Sequence, residues 1–329
     1  MSAKLAFSAG DLARMRFAVS PMWEVGPSFR LLSSGAAHAI HRPWIEQVRP
    51  RVAAAGLDRG RLAELIPPSG YVPDFLNPAP TGPTSTLAAE LAEIVSTPDA
   101  SVRRDLDRLR HERGGLGPRT EALYADPRAR LARVAEEIEA YWELALAPYW
   151  ARIRAVLEAD VFHRARQVAE RGAGRLLNEL HPSVSWDDDT LRLGRRERAL
   201  SRRTAGAGLL LIPSVFTGPD PFTRVTPPEP PQLAYPARGI GGLWTPRPVT
   251  GTEALAAVLG RSRTLLLSEL DTPASTTELA HRTGLSAAAV SQQLTALRDA
   301  GLVTAHRAGR VVLYARTSIA ESVLTAAPR

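Results

Sequence analysis

Serine, glutamine and threonine recur at helical spacing near the C-terminus, in a pattern suited to recognition rather than catalysis. In "GLSAAAVSQQLTALRDAGLV", Gly284 to Val303, helical spacing puts Ala287, Ala288, Ser291, Gln292 and Thr295 on one side and Val290, Leu294 and Leu297 on the other. An apolar i, i+4, i+7 stripe turns inward, so the small and amide-bearing side chains point out. A face this slim can lie close inside a DNA major groove, about 12 Å wide. Glutamine can bond adenine twice, and serine can serve a base edge or a phosphate. Thr276, Thr277, Ser286 and Arg298 complete the expected contact set on the helices. His306, Arg307 and Arg310 surround the tip of a following hairpin, where cations meet backbone phosphate or the minor groove.

Much other chemistry is excluded by what the chain lacks. Cysteine is absent, which removes disulfides, thiolate nucleophiles and every metal site built on sulfur. Of 41 basic residues only Lys4 is lysine, so there is no internal lysine for a P-loop or a Schiff base. No G-x-S-x-G or H-E-x-x-H occurs. His38 and His41 read as two surface histidines without an acidic third ligand, and His181 with Asp187, Asp188 and Asp189 as a solvated turn. The cluster Arg195, Arg196, Arg198, Arg202 and Arg203 reads as a solvated arm rather than an extended DNA footprint. "GAGRLLNEL" has no preceding strand to make a dinucleotide site. No catalytic residue, metal ligand or cofactor is assigned.

The elements that carry the recognition pattern sit at the end of a long chain. At 329 residues the protein can hold two or three cores. A net charge of +7 suits a polyanionic partner. No apolar run approaches the roughly 18 residues of a membrane span, and no secretory signal opens the chain, so a cytoplasmic protein with no membrane role is expected. The fold class expected is mainly α with a small antiparallel β part. Residues 1–182 read as a helical module, with helices at Asp11–Val19, Trp23–Ser33, Ala37–Ala55, Leu87–Ser96 and Ser101–Arg113. The longest pattern, Pro127 to Arg171, is interrupted at Pro148. A Pro/Gly/Ser-rich loop, "IPPSGYVPDFLNPAPTGPTS", is either a lid or a surface strap. Residues 183–249 read as a small β and proline-rich part of the same N-terminal domain. There "TLRLG", "GLLLIPSVF" and "QLAYPARG" suggest an antiparallel sheet, with Leu209 to Ile212 covered on both faces.

Residues 250–329 form the expected C-terminal domain. One helix runs from Thr252 to about Leu270 with Leu255, Val258, Leu259, Leu266 and Leu267 inward. Ser275 and Glu278 make a capping box for the second helix, Ser286 caps the third, and Gly284 and Gly301 end them. "LVTAH" and "VVLYA" then alternate around Gly309 as a hairpin. Helix, helix-turn-helix and hairpin make a winged helix. The motif "GLSAAAVSQQLTALRDAGLV" followed by "RAGRVVLYA" resembles the ArsR-type winged helix of bacterial transcriptional repressors. That resemblance implies a homodimer on an inverted-repeat operator in double-stranded DNA. It also implies that the first helix and "TSIAESVL" pack across the dimer axis. The stretches where metal sensors of that family hold their ligands, "LSELDTPASTTEL" and "TSIAESVLTAAPR", have no Cys or His, which argues against a thiolate metal sensor. "LLLIPSVFTGPDPF", "LAYPARGIGGLW" and "DLARMRFAVSPMWEVGPSFRLL" are similar to a module of undefined function found ahead of such winged helices in actinobacterial regulators.

The expected function is a sequence-specific transcriptional regulator, a repressor, whose front module answers a small organic effector. Trp23, Trp44, Tyr71, Phe75, Trp142, Tyr149 and Trp150 are the candidates for an effector pocket, with core packing as the plainer reading of each. An enzyme with a DNA-binding tail and a constitutive architectural or interaction protein are the alternatives.

Overall fold

The computed structural model describes residues 3–6, 9–34, 38–187, 190–194, 207–227, 229–245, 252–308 and 311–326. The chain begins with β1 (Ala3–Ala6), α1 (Ala9–Ala13), β2 (Arg16–Phe17), α2 (Met22–Ser33), α3 (Arg42–Ala54), α4 (Arg61–Leu65) and α5 (Leu87–Val95). There follow α6 (Asp99–Arg113), α7 (Pro118–Ala125), α8 (Pro127–Ala145), α9 (Trp150–Arg171) and α10 (Ala173–Leu180). Next come β3 (Val184–Asp187), β4 (Thr190–Leu193), β5 (Leu210–Ser214), β6 (Phe222–Arg224) and β7 (Gln232–Pro236). The C-terminal part holds α11 (Thr252–Leu259), α12 (Arg261–Glu269), β8 (Ala274–Ser275), α13 (Thr276–Thr283), α14 (Ala287–Asp299), β9 (Val303–Ala308), β10 (Val311–Arg316) and α15 (Ser318–Ala326). By compactness the chain divides into two units, each discontinuous. One comprises Met1–Ala36, Arg59–Ile138 and Val156–Ile240; the other comprises Ala37–Asp58, Glu139–Ala155 and Gly241–Arg329.

In the first unit, one sheet has the order β1-β4-β3, all antiparallel, and another the order β2-β5-β7-β6. The expectation that "TLRLG", "GLLLIPSVF" and "QLAYPARG" share one antiparallel sheet is corrected here. The first belongs to β4, while β5 lies parallel to both β2 and β7. A continuous apolar run is the mark of a strand buried on both faces, and such strands are common in parallel pairing. Leu209 and Leu211 pack with Leu176, Leu180 and Tyr235, whereas Leu210 and Ile212 pack with Trp23 and Ala234. The expected helix Asp11–Val19 is also corrected. It stops at Ala13, because Arg16 N–H bonds Leu209 O and Ala18 N–H bonds Leu211 O, and sheet pairing overrides local propensity. The proline-rich loop is a pinned strap: Phe75 is buried, its N–H bonds Asp105 at 2.8 Å, and Arg108 stacks on Tyr71 at 3.7 Å. Pro148 does divide the long helical pattern, with a short 3₁₀ turn at Ala147–Tyr149 between α8 and α9.

In the second unit, Leu266, Leu267, Leu279, Val290, Leu294, Leu297, Val303 and Leu324 make one core. β8, β10 and β9 form an antiparallel sheet in that order, so a winged helix stands at the C-terminal end. Its first helix is not continuous. Gly260, at φ 88, separates α11 from α12, and the change of direction leaves Val258 81% exposed instead of inward.

Candidate nucleic-acid interface

The reading pair is built by local chemistry. Ser275 Oγ accepts from Glu278 N–H at 3.2 Å, and the Glu278 carboxylate accepts from Ser275 N–H at 2.6 Å, closing the capping box of α13. Gly284, at φ 70, ends that helix in the left-handed region. Ser286 then caps α14, accepting from Ala289 N–H at 3.2 Å. The stripe Val290, Leu294 and Leu297 is buried in the core. On the far side Ala287, Ala288, Ser291, Gln292, Thr295 and Arg298 are all exposed, as are Ser286 and Thr277; Thr276 is half-buried. Thr295 bonds back to Ser291 O at 3.0 Å and Arg298 pairs with Asp299 at 3.5 Å, so Ser291 and Gln292 lead this face.

The hairpin places Arg307 on its exposed edge, paired in register with Val312. His306 is drawn elsewhere: one ring nitrogen lies 3.1 Å from the Glu143 carboxylate and the other 2.8 Å from the Thr304 hydroxyl. Arg310 lies outside the described residues, as do Asp188, Asp189 and the cluster Arg195, Arg196, Arg198, Arg202 and Arg203.

The aromatic candidates are divided between the two units. Trp23, Tyr71 and Phe75 belong to the first unit and Trp44, Trp142, Tyr149 and Trp150 to the second. Trp23 donates to Gln232 at 2.7 Å within the sheet core, and the Tyr71 hydroxyl accepts from Asp74 N–H at 3.1 Å. In the second unit Trp142 packs edge-on against Trp150 at 4.9 Å. Trp44 lies near-parallel to Trp244 at 6.3 Å, and Tyr149 meets Trp244 edge-on at 5.5 Å. The Trp244 indole N–H donates to His41 Nδ1 at 3.0 Å, which corrects the reading of His41 as a surface residue: it is buried.

Trp44, Tyr149 and Trp244 wall a cleft that also holds Arg152, Asp271, Arg316 and Glu321. Arg152 bonds Asp271 at 2.6 Å; Arg316 lies 3.6 Å from Asp271 and 3.5 Å from Glu321. Arg316 also donates to Leu267 O at 2.5 Å and Ser268 O at 2.6 Å, fixing it across the end of α12. Burial lowers its pKa, and the two carboxylates oppose that shift. Sequence reading missed Trp244, Arg152, Asp271 and Arg316. Arg152 and Asp271 are 119 positions apart and share no motif, so only the tertiary fold pairs them.

Three carboxyls of the first unit are held well above their ordinary range. Burial pushes Glu24 up to about 8 against hydrogen bonds from Val215 N–H, Phe216 N–H and the Ser214 hydroxyl. Burial likewise raises Glu90 to about 7 and Asp105 to about 6. Each accepts a backbone N–H, from Val215, Met22 and Phe75 respectively, and so ties a loop or helix start to the core. Among the described residues no group of three His, Asp or Glu side chains is placed to hold a metal ion, and no helix is long and apolar enough to cross a membrane.

Comparison with known proteins bears on both parts of the chain. Residues 264–305 match the family described as bacterial regulatory protein, arsR family, and residues 94–241 match a family of unknown function, DUF5937. The HTH-type transcriptional regulator NmtR of Mycobacterium tuberculosis (strain ATCC 25618 / H37Rv) is 43% identical over 61 residues, 18% of this chain and 51% of the relative. The chain thus spans about half the length of the curated relative it matches. No solved structure matches. The segment over residues 264–305, with its capped helices and buried leucine stripe, is an arsR-family helix-turn-helix domain, and it follows a DUF5937 domain of unknown function.

Proposed function

We propose that this protein is a sequence-specific DNA-binding transcriptional regulator, acting as a homodimeric repressor in the cytoplasm and without catalytic activity. The observation that carries the reading is the division of α14, which buries Val290, Leu294 and Leu297 and exposes Ser291 and Gln292 among alanines. The arsR-family match and the name of the M. tuberculosis relative support it. In this reading α14 enters the major groove, Gln292 and Ser291 meet base edges, and Thr276, Thr277, Ser286, Arg298, Arg307 and Arg310 meet the backbone. Dimerisation is supported by exposed aliphatics on α11, α12 and α15: Val258 at 81%, Leu265 at 39% and Ile319 at 58%. A twofold axis there gives two reading helices for an inverted repeat with half-sites about one helical turn apart. A small organic effector acting on the front module changes their spacing and forfeits the gain from binding both half-sites together.

The test is a gel shift on the promoter region beside the protein's own gene, with a salt series. Affinity falls steeply with salt, a sequence preference persists, and the complex has dimer size. Gln292→Ala lowers operator affinity about tenfold, in line with a lost base contact of roughly 1–3 kcal/mol. Equal binding of Gln292→Ala and wild type to operator overturns the contact assignment.

A further inference from the structure

Arg51, on α3, lines an open groove of the second unit together with Thr276, Thr277 and Glu278 of α13 and Val311 and Val312 of β10. We propose that this groove seats a DNA backbone phosphate, with Arg51 as its cation, so that a helix outside both family matches extends the DNA interface of the winged helix. The inference rests on the DNA-binding reading above.

The placement comes first. β8 pairs only with Leu313 and Tyr314 of β10, so the edge at Val311 and Val312 runs on beyond it toward the wing, facing the start of α13. A duplex read by α14 and touched by the wing carries a strand of its backbone between those two contacts. Thr277 is exposed on that wall and Thr276 half-exposed, with hydroxyls able to donate to a phosphate oxygen.

The charges favour the same occupant. Arg51 bonds the Tyr149 hydroxyl and is the cation among the residues that line the groove. Arg51 as a whole is half-buried and lines the groove, so its charge lies within reach of a phosphate seated there. Burial pushes Glu278 up, but hydrogen bonds from Ser275 and the charges of Arg51 and Arg282 outweigh it and hold the carboxyl below its ordinary range. Glu278 therefore stays ionised in the groove, and Arg51 is the charge that keeps it from repelling a phosphate. Removing Arg51 deletes an attraction and uncovers a repulsion.

The experiment measures binding of a mixed-sequence 30-base-pair duplex by fluorescence anisotropy across a sodium chloride series. A phosphate contact is independent of sequence and contributes about 0.9 to the slope of log affinity against log salt. Arg51→Gln is expected to weaken binding about tenfold at physiological salt and to reduce the slope by about one, alike on a second unrelated duplex. Arg51→Lys is expected to keep the wild-type slope. Thr277→Val tests the same groove without touching the arginine, with a loss of about threefold at unchanged slope. An Arg51→Gln slope equal to that of wild type, a loss confined to one duplex sequence, or no loss in Thr277→Val each overturns the inference while leaving the regulator reading intact. Wild-type protein that binds no duplex overturns that reading and this inference with it.

Discussion

The reading helix turns its polar groups outward, whereas the first unit turns three of its carboxyls inward. In the winged helix the informative polar groups of α14 face solvent and the core behind them is aliphatic. In the first unit Glu24, Glu90 and Asp105 face inward and are spent on backbone N–H groups of the same unit. Exposed polar groups that nothing in the fold needs are free to recognise a partner. Buried polar groups that satisfy a loop hold that loop in place, even where their proton affinities look like those of a catalytic site.

Three substitutions can break or sharpen that contrast. Arg316→Ala has the largest expected effect, a loss of roughly 1.5–3 kcal/mol, since it leaves Asp271 and Glu321 to share Arg152 and frees the Leu267 and Ser268 carbonyls. Chemical denaturation reads it, and a loss under 1 kcal/mol means the cleft is wet and the network ornamental. Glu24→Gln tests the buried carboxyl through pH. Its ordinary value is about 4.3 and its folded value about 8. Across that window the folded chain holds a proton that the unfolded chain releases, so this group's stabilisation falls as pH rises. Melting temperatures between pH 5 and pH 8 should decline in wild type and decline less in Glu24→Gln; parallel curves would mean the carboxyl is already ionised at pH 5. Ser291→Ala is the smallest, within about 0.5 kcal/mol of wild-type stability. A larger loss in its thermal melt would show that the outward face of α14 has a structural duty.

What could be read in the sequence follows the range of the interactions involved. Ser275, Glu278, Ser286 and Gly284 act within a turn of their own helix, and Val290, Leu294 and Leu297 repeat at one period; both kinds of signal are local. The break at Gly260 was hidden because glycine inside an apolar helical pattern is often tolerated. Strand direction was hidden because an apolar run carries no sign of which way its neighbour runs, and β5 pairs with β2 across almost the whole first unit in sequence. His41 looked solvated until Trp244, 203 positions later, closed over it.

The second unit draws on three separated stretches of chain, Ala37–Asp58, Glu139–Ala155 and Gly241–Arg329. On the ribosome, the first of these emerges roughly 180 residues before the last begins, a wait of about ten seconds or more at 5–20 residues per second. Trp44 and Val48, fully buried in the finished protein, pass that interval without their final neighbours. The second unit can therefore close only after its last stretch has been made, and pausing late in translation lengthens that wait.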